Sequence, residues 1–282
     1  MIEVISPGPL ATIQDLGRPG QAALGVGPSG AADRGAQRLA NRLVGNAEDA
    51  AVIEATLGGL RLRFAAPALI ACTGAIGPVL INGRAVGMNA PVEVPVSAEV
   101  ALERSSTGLR RYLAVRGGID VPPVLGSRST DLLSGLGPPA LTSGDWLPIG
   151  RMTAGFPEVD VAPVALPPNR LVLTALRGPR DDWFTPSSLA ALSGRAWTVS
   201  PDSNRIAVRL TGPVLERAVG GELPSEGLLR GAVQVPPNGQ PVLFLADHPV
   251  TGGYPVIAVV DEAGVDLAAQ ARPGNVVHFR LT

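Results

Sequence analysis

Lysine is absent from this 282-residue chain, in which all 23 basic side chains are arginine. Without lysine, the chain cannot supply the lysine of a Walker A phosphate loop, a Schiff-base lysine, or an attachment point for biotin or lipoate. Any anion that binds is therefore held by arginine, hydroxyl groups or backbone amides. Any biotin has to arrive on a partner chain.

Cysteine and long apolar runs are also scarce. The single cysteine, Cys72, excludes an intrachain disulfide and offers no zinc spacing, and its apolar surroundings indicate a small core residue. No apolar run is long enough to span a bilayer, and no charged-then-apolar leader is present. Because the net charge is −1, we expect no nucleic-acid partner and no membrane partner. Since no other address is apparent we expect a cytoplasmic protein, and since no metal-binding motif occurs we expect no metal site.

Short β-like runs separated by turn residues dominate the chain, recurring roughly every ten residues as in a β-sandwich or β-barrel. The Asn82-Gly83 pair predicts a tight hairpin. Helix is limited to one segment from an Asp33 N-cap to Gly45 and a short one near 266–270. The predicted strands are 2–5, 51–56, 60–64, 68–73, 91–96, 99–104, 111–116, 170–176, 197–199, 206–210, 232–235, 241–246, 255–260 and 275–281.

A Pro- and Ala-rich segment, 151–169, predicts a linker between two domains. We therefore expect an N-terminal β domain over 1–150 and a C-terminal β domain over 170–282. The expected fold class is mainly β, with two domains of barrel or sandwich type and one or two short helices.

Segment 116–131, with the sequence RGGIDVPPVLGSRSTD, is the strongest candidate for a site. Glycine frees backbone amides, proline stiffens the path, and arginine supplies a fixed fork of donors. The pattern predicts a site for a small anionic substrate. The alternative interpretation is a well-capped surface loop.

Two other segments carry polar residues beside predicted elements. Ser29, or the amides at the start of the first helix, can hold an anion; alternatively, Ser29 only forms a turn and Asp33 only caps the helix. Asp247 and His248 invite a general-base interpretation. Because consecutive side chains on extended backbone point to opposite sides, we favour Asp247 with Thr251 and Tyr254 as polar lining.

The order of motifs along nearly the whole chain resembles the carboxyltransferase-type family of allophanate hydrolase subunit 2. That family includes the C subunit of 5-oxoprolinase and the Kip-type antagonist of a sporulation kinase inhibitor. The segments that carry the resemblance are 12–17, 30–33, 38–46, 54–56, 73–75, 112–130, 177–184, 203–205, 226–237, 251–255 and 269–274.

The resemblance implies a mostly β architecture with cyclophilin-like barrel character. It also implies partners: a subunit 1 (Kip inhibitor-like) protein that resembles the B subunit of 5-oxoprolinase, and a protein that resembles its A subunit. The leading function is that of a subunit in an ATP-dependent 5-oxoprolinase, which opens 5-oxoproline to glutamate only when its partners are present. The alternatives are a biotin-dependent carboxyltransferase component of urea carboxylase type, with carboxybiotin on a partner, and a non-catalytic regulator that binds a kinase-inhibitor homologue.

The residue chemistry suits what both family activities share, which is holding a small amide or lactam and an anionic carboxylate or phosphate. We expect Arg116 and Arg128 to pair with the anion and Asp120 or Asp247 to orient the amide N–H. Hydroxyl groups and exposed glycine amides donate to oxyanions. The expected substrate-binding residues are Ser29, Gly117, Gly118, Ser127, Ser129, Thr130, Gln234, Thr251, Gly252, Gly253 and Tyr254.

Overall fold

The computed structural model describes residues 1–157, 159–165, 168 and 170–282. The chain forms two compact units. Unit 1 comprises Met1–Arg18, Ser29–Asp131 and Gly135–Leu166, and unit 2 comprises Pro19–Pro28, Leu132–Ser134 and Pro167–Thr282. The predicted linker 151–169 includes positions 158, 166, 167 and 169, which lie outside the described residues.

The described residues of unit 1 form two β-sheets and one α-helix. The six-stranded sheet has the order β11-β1-β4-β9-β6-β7, and the five-stranded sheet has the order β2-β3-β10-β5-β8. The strands are β1 Ile2–Pro7, β2 Leu10–Gln14, β3 Val52–Thr56, β4 Leu60–Phe64, β5 Ala68–Ile76, β6 Val79–Ile81, β7 Arg84–Val86, β8 Val92–Val94, β9 Glu99–Leu102, β10 Thr107–Val115 and β11 Trp146–Leu147; the helix is α1, Arg34–Leu43.

The alternation of side chains along β10 explains how these layers pack. Leu113 and Val115 belong to the main apolar core, which draws residues from both sheets. Tyr112 and Ala114 point to the opposite face, where they pack with Ala40 and Leu43 of α1. Because successive side chains of a strand alternate between faces, one strand serves both cores.

Unit 2 is built around a closed seven-stranded barrel with the order β12-β19-β16-β17-β14-β13-β20, beside a two-stranded ribbon, β15-β18. In the barrel β12 runs parallel to β20. The elements are β12 Arg170–Arg177, α2 Pro186–Gly194, β13 Trp197–Val199, β14 Ala207–Thr211, β15 Glu226–Gly227, β16 Ala232–Gln234, β17 Val242–Phe244, β18 Thr251–Gly252, β19 Val256–Val260, α3 Glu262–Ala269 and β20 Val276–Leu281; single 3-10 turns span Ala22–Leu24 and Asp181–Trp183.

The predicted fold class is confirmed: the chain is mainly β, with a sandwich, a barrel and short helices. The Asn82-Gly83 hairpin is confirmed as well, since both residues have positive φ between β6 and β7. The helix count is too low by one because α2 was missed; Thr185 caps it, but its apolar residues show little helical periodicity. The helix expected near 266–270 begins earlier, at Glu262, where Asp261 caps it.

No helix among the residues described is long and apolar enough to cross a membrane. The expectations that the chain binds neither nucleic acid nor a membrane remain predictions.

Cys72 lies in the core between the two sheets of unit 1 and is 2% exposed. Burial raises the pKa of its thiol to about 12, although the nearby Arg111 guanidinium opposes the shift. We expect the folded protein to resist a thiol-alkylating reagent near pH 9 and the denatured protein to react. Rapid labelling of the folded protein would contradict this placement.

The same shift makes stability depend on pH. The pKa of the thiol in the folded state lies above the ordinary value of 9.0. The contribution of the neutral thiol to the free energy of unfolding is therefore fully present below pH 9.0. It is lost as the pH rises towards about 12. Urea unfolding of wild type and of Cys72→Ala across this range measures the difference, which should shrink as the pH increases.

Candidate functional site

Asp15, directly after β2, holds the centre of segment 116–131 in place. Its Oδ1 accepts hydrogen bonds from the hydroxyls of Ser127 (2.6 Å) and Ser129 (2.5 Å) and from the Gly17 amide (2.7 Å). Its Oδ2 accepts a bond from the Arg128 amide at 2.6 Å. One carboxylate therefore fixes three consecutive residues of the segment.

This arrangement corrects the role that the sequence suggested for two serines. Ser127 and Ser129 are 1% and 0% exposed, and each donates its single hydroxyl proton to Asp15. Neither has a proton left for a substrate oxyanion. We therefore assign these hydroxyls to the support of the segment.

Ser29 and Thr130 lie together beside β2. Ser29 has a φ of 51° and donates its hydroxyl to the Thr130 carbonyl at 3.2 Å, and the Gln14 side-chain amide donates to the same carbonyl at 2.9 Å. Both residues are buried. The structure thus brings these two predicted residues into contact, with the Ser29 proton engaged inside the fold.

Two hydrogen bonds hold the guanidinium of Arg128 in a fixed position. Nε donates to the Val121 carbonyl at 2.7 Å, and Nη2 donates to Asp120 Oδ1 at 3.0 Å. Nη1 has no partner among the described residues. Two predicted residues, Asp120 and Arg128, therefore form an ion pair that leaves Nη1 of the guanidinium available.

Glycine is required where segment 116–131 approaches residues 148–151. A Cβ on Gly117, whose φ is +96°, would overlap the carbonyl oxygen of Gly150, and a Cβ on Gly150 would overlap the carbonyl oxygen of Gly117. The Gly150 amide donates to the Gly118 carbonyl at 3.0 Å. Two backbones can lie this close only because neither carries a side chain.

The prediction that the backbone amides of Gly117 and Gly118 are exposed to a substrate is wrong. The Gly117 amide donates to Asn46 Oδ1 at 2.8 Å, and the Gly118 amide donates to the Val115 carbonyl at 2.8 Å. Gly118 is itself buried. These amides close a turn after β10 and are not available to a substrate oxyanion.

A pocket of about 350 Å³ lies over this glycine contact, entirely within unit 1. Four of the predicted site residues line it, namely Gly117, Gly118, Asp120 and Arg128. Residues from 47–51 and 150–154 complete its wall and add two charged groups, Asp49 and Arg151. Several predicted site residues therefore share one cavity in the described part of unit 1.

Arg116 lies outside the set of described residues that line this pocket. Its Nη1 donates to the carbonyl of Val44 at 2.7 Å, at the C-terminal end of α1, and its guanidinium stacks over the Phe156 ring at 5.0 Å. A cation at a helix C-terminus stabilises the helix. The structure therefore gives Arg116 a supporting contact with α1, and its pairing with a substrate anion stays a prediction.

In unit 2, Asp247 forms a buried ion pair with Arg205. Nε of Arg205 lies 2.9 Å from Oδ2 and Nη2 lies 3.0 Å from Oδ1, and both side chains are nearly inaccessible. The Leu132 amide also donates to Oδ2, at 3.3 Å. Both carboxylate oxygens are thus engaged, which argues against the predicted role of orienting a substrate amide.

The other predicted residues of unit 2 group around the β15–β18 ribbon. The buried Gln234 donates its side-chain amide to the Tyr254 carbonyl at 2.9 Å, and Thr251 and Gly252 pair with β15. A Cβ on Gly252 would lie 2.7 Å from Gln234 Nε2. The Tyr254 ring, 44% exposed, lies 6.0 Å from the Arg217 guanidinium, and Gly253 precedes it.

Four residues of these sites were not predicted from the sequence. Asp15 and Arg205 hold predicted residues in place, and Asp49 and Arg151 line the pocket. Asp15 could have been found from its place at a strand end, two residues before Gly17, where aspartate often accepts backbone amides. Arg205 lies in a segment that carries the family resemblance. Asp49 and Arg151 have no local signal, since only the fold brings them to segment 116–131.

Replacement of Asp15 by asparagine should lower the free energy of unfolding by about 2–4 kcal/mol, because buried donors would lose a charged acceptor. Thermal unfolding measures the loss. Glu93→Gln, at an exposed position of the same unit without a side-chain partner among the described residues, is the matched control and should change stability by less than about 0.5 kcal/mol. Equal stability of the two variants would refute the anchoring role.

Replacement of Asp247 by asparagine should lower the free energy of unfolding by about 3–5 kcal/mol, because it removes the carboxylate that pairs with the buried Arg205 guanidinium. Chemical unfolding reports this loss directly. A variant that keeps its stability but loses activity would instead indicate that Asp247 acts on the substrate.

Residues 24–281 match the family described as carboxyltransferase domain, subdomain A and B. The chain is 41% identical to the C subunit of 5-oxoprolinase from Escherichia coli (strain K12), over 99% of this chain and 90% of that protein. It is 36% identical to the urea amidolyase of Lachancea kluyveri, over 98% of this chain and 17% of that protein.

A solved structure agrees with these matches. The crystal structure of the K. lactis urea amidolyase superposes on 99% of this chain and 18% of its own chain, with a TM-score of 0.93 and 31% identity. Fold and sequence therefore lead to the same assignment. This chain belongs to the family of carboxyltransferase domains with subdomains A and B.

Proposed function

We propose that this chain is the C-type subunit of an ATP-dependent 5-oxoprolinase. The observation that carries the proposal is the match to the C subunit of the Escherichia coli 5-oxoprolinase, at 41% identity over 90% of that protein's length. The match spans nearly the whole of the matched subunit. In the urea amidolyase of Lachancea kluyveri the equivalent segment is only 17% of a longer chain.

In the proposed reaction, water adds across the lactam C–N bond of 5-oxoproline to give glutamate, while ATP is hydrolysed to ADP and phosphate. We expect B-type and A-type partner subunits to be required for turnover, and ATP to enter as the energy source of the complex. Because the proposed reaction consumes ATP, which the cytoplasm supplies, we place the complex in the cytoplasm.

The pocket of unit 1 supports this proposal as a place for a small polar substrate. Its volume of about 350 Å³ is at the lower end of the range typical of small-molecule sites. Arg128, held by Asp120 and Val121, presents a pre-oriented donor to an anionic group.

A second candidate is the carboxyltransferase component of a biotin-dependent enzyme. It is favoured by the family description and by the 36% identity to a urea amidolyase. Since the chain has no lysine, carboxybiotin would have to be presented by a partner.

The test is reconstitution with the A-type and B-type homologues from the same organism. We expect glutamate release from 5-oxoproline that requires ATP and all three chains, with little or no release when this chain is omitted. The control replaces 5-oxoproline by urea, with bicarbonate, ATP, a biotin carboxylase and a biotinylated carrier protein. Absence of turnover from 5-oxoproline in the complete complex would exclude the leading proposal, and carboxylation of urea would establish the second.

A further inference from the structure

The pocket of unit 1 contains two arginines and two aspartates that keep polar atoms without a contact to another described residue; Asp49, Asp120 and Arg151 are exposed and Arg128 is half-buried. Nη1 of Arg128 has no partner among the described residues. The side chains of Arg151 and Asp49 form no hydrogen bond or ion pair with any residue that the structure describes. Asp120 uses only Oδ1, which accepts from Arg128.

These groups divide into donors and acceptors. Arginine donates hydrogen bonds and cannot accept them, so Arg128 and Arg151 together favour a carboxylate or another small anion. An ionised carboxylate only accepts, so Asp49 and the second oxygen of Asp120 favour an N–H group. A ligand that carries only a negative charge would be repelled by the carboxylates of Asp49 and Asp120 and would offer neither of them an N–H group.

We propose that this pocket binds a small molecule that carries both a carboxylate and an N–H donor, with Arg128 and Arg151 on the carboxylate and Asp49 on the N–H. The pocket holds two arginines and two aspartates, so its formal charges cancel. Its selectivity therefore rests on the placement of charge within the ligand. The inference deepens the proposed function, on which it rests for the choice of 5-oxoproline as the first probe.

The floor of the pocket provides the rigidity that such recognition needs. Gly117 and Gly150 fix the separation of two backbone segments, one leading to Asp120 and the other to Arg151. The Asp15 carboxylate fixes the backbone of Arg128. Because the backbone and the Arg128 side chain are already held, the conformational freedom lost on binding is mainly that of the Arg151 and Asp49 side chains.

Binding is measured by calorimetry on the full chain alone and on the complex with its partner subunits. The probes are 5-oxoproline, 2-pyrrolidinone, which lacks the carboxylate, and N-methyl-5-oxoproline, which lacks the N–H. We expect 5-oxoproline to bind at least about tenfold more tightly than either analogue, because each analogue leaves a charged group without its partner. Equal binding of all three, or binding of none to either preparation, would overturn the proposal.

The variants Arg151→Gln and Asp49→Asn should each weaken 5-oxoproline binding by about tenfold. Both side chains lack partners among the described residues, so folding should be unaffected. Arg84→Gln and Glu93→Gln, at exposed positions of unit 1 away from the pocket lining, are the matched controls and should bind normally.

The outcomes separate this proposal from the function that it rests on. Variants that bind like the wild type would place the ligand elsewhere, even if the complex turns over 5-oxoproline. Loss of binding in the variants, with a wild-type complex that fails to hydrolyse 5-oxoproline, would retain the pocket and reject the proposed reaction.

Discussion

The carboxylate of Asp15 is the interaction on which the candidate site depends. It accepts four hydrogen bonds, two from serine hydroxyls and two from backbone amides, and it is 8% exposed. A buried carboxylate is stable only when its oxygens are satisfied, so the segment that satisfies it is held closely. The hydroxyls that looked like substrate ligands are thus a means of fixing Arg128.

A second constraint acts at the glycine contact. Gly117 and Gly150 touch through their backbones, and the turn after β10 uses up the amides of Gly117 and Gly118. The pocket consequently has a backbone floor that offers few donors, and its polar groups come from side chains on the rim. Among the described residues that line the candidate pocket, the polar groups at hand are therefore mainly charged side chains.

Much of the fold could be predicted from local patterns. Alternating residues indicated β4, whose inward side chains Leu60, Leu62 and Phe64 are fully buried while Arg61 and Arg63 are exposed. The Asp33 cap and the Asn-Gly turn have local causes and were found. The helix α2 was missed because its stability comes from packing and capping, and its apolar residues do not follow one face.

The sequence by itself determined the exclusion of lysine chemistry and the mainly β class, and it singled out segment 116–131 as a candidate site, because composition and short-range periodicity can be read without knowing which distant residues meet. Only the tertiary structure decided which polar groups are available. Asp15 lies more than a hundred residues before Ser127 and Ser129 along the chain yet accepts their protons, and Arg205 does the corresponding work for Asp247. A hydrogen bond between distant residues leaves no mark in local sequence, so a residue's chemistry can be read from its type, but its freedom to act depends on its partners.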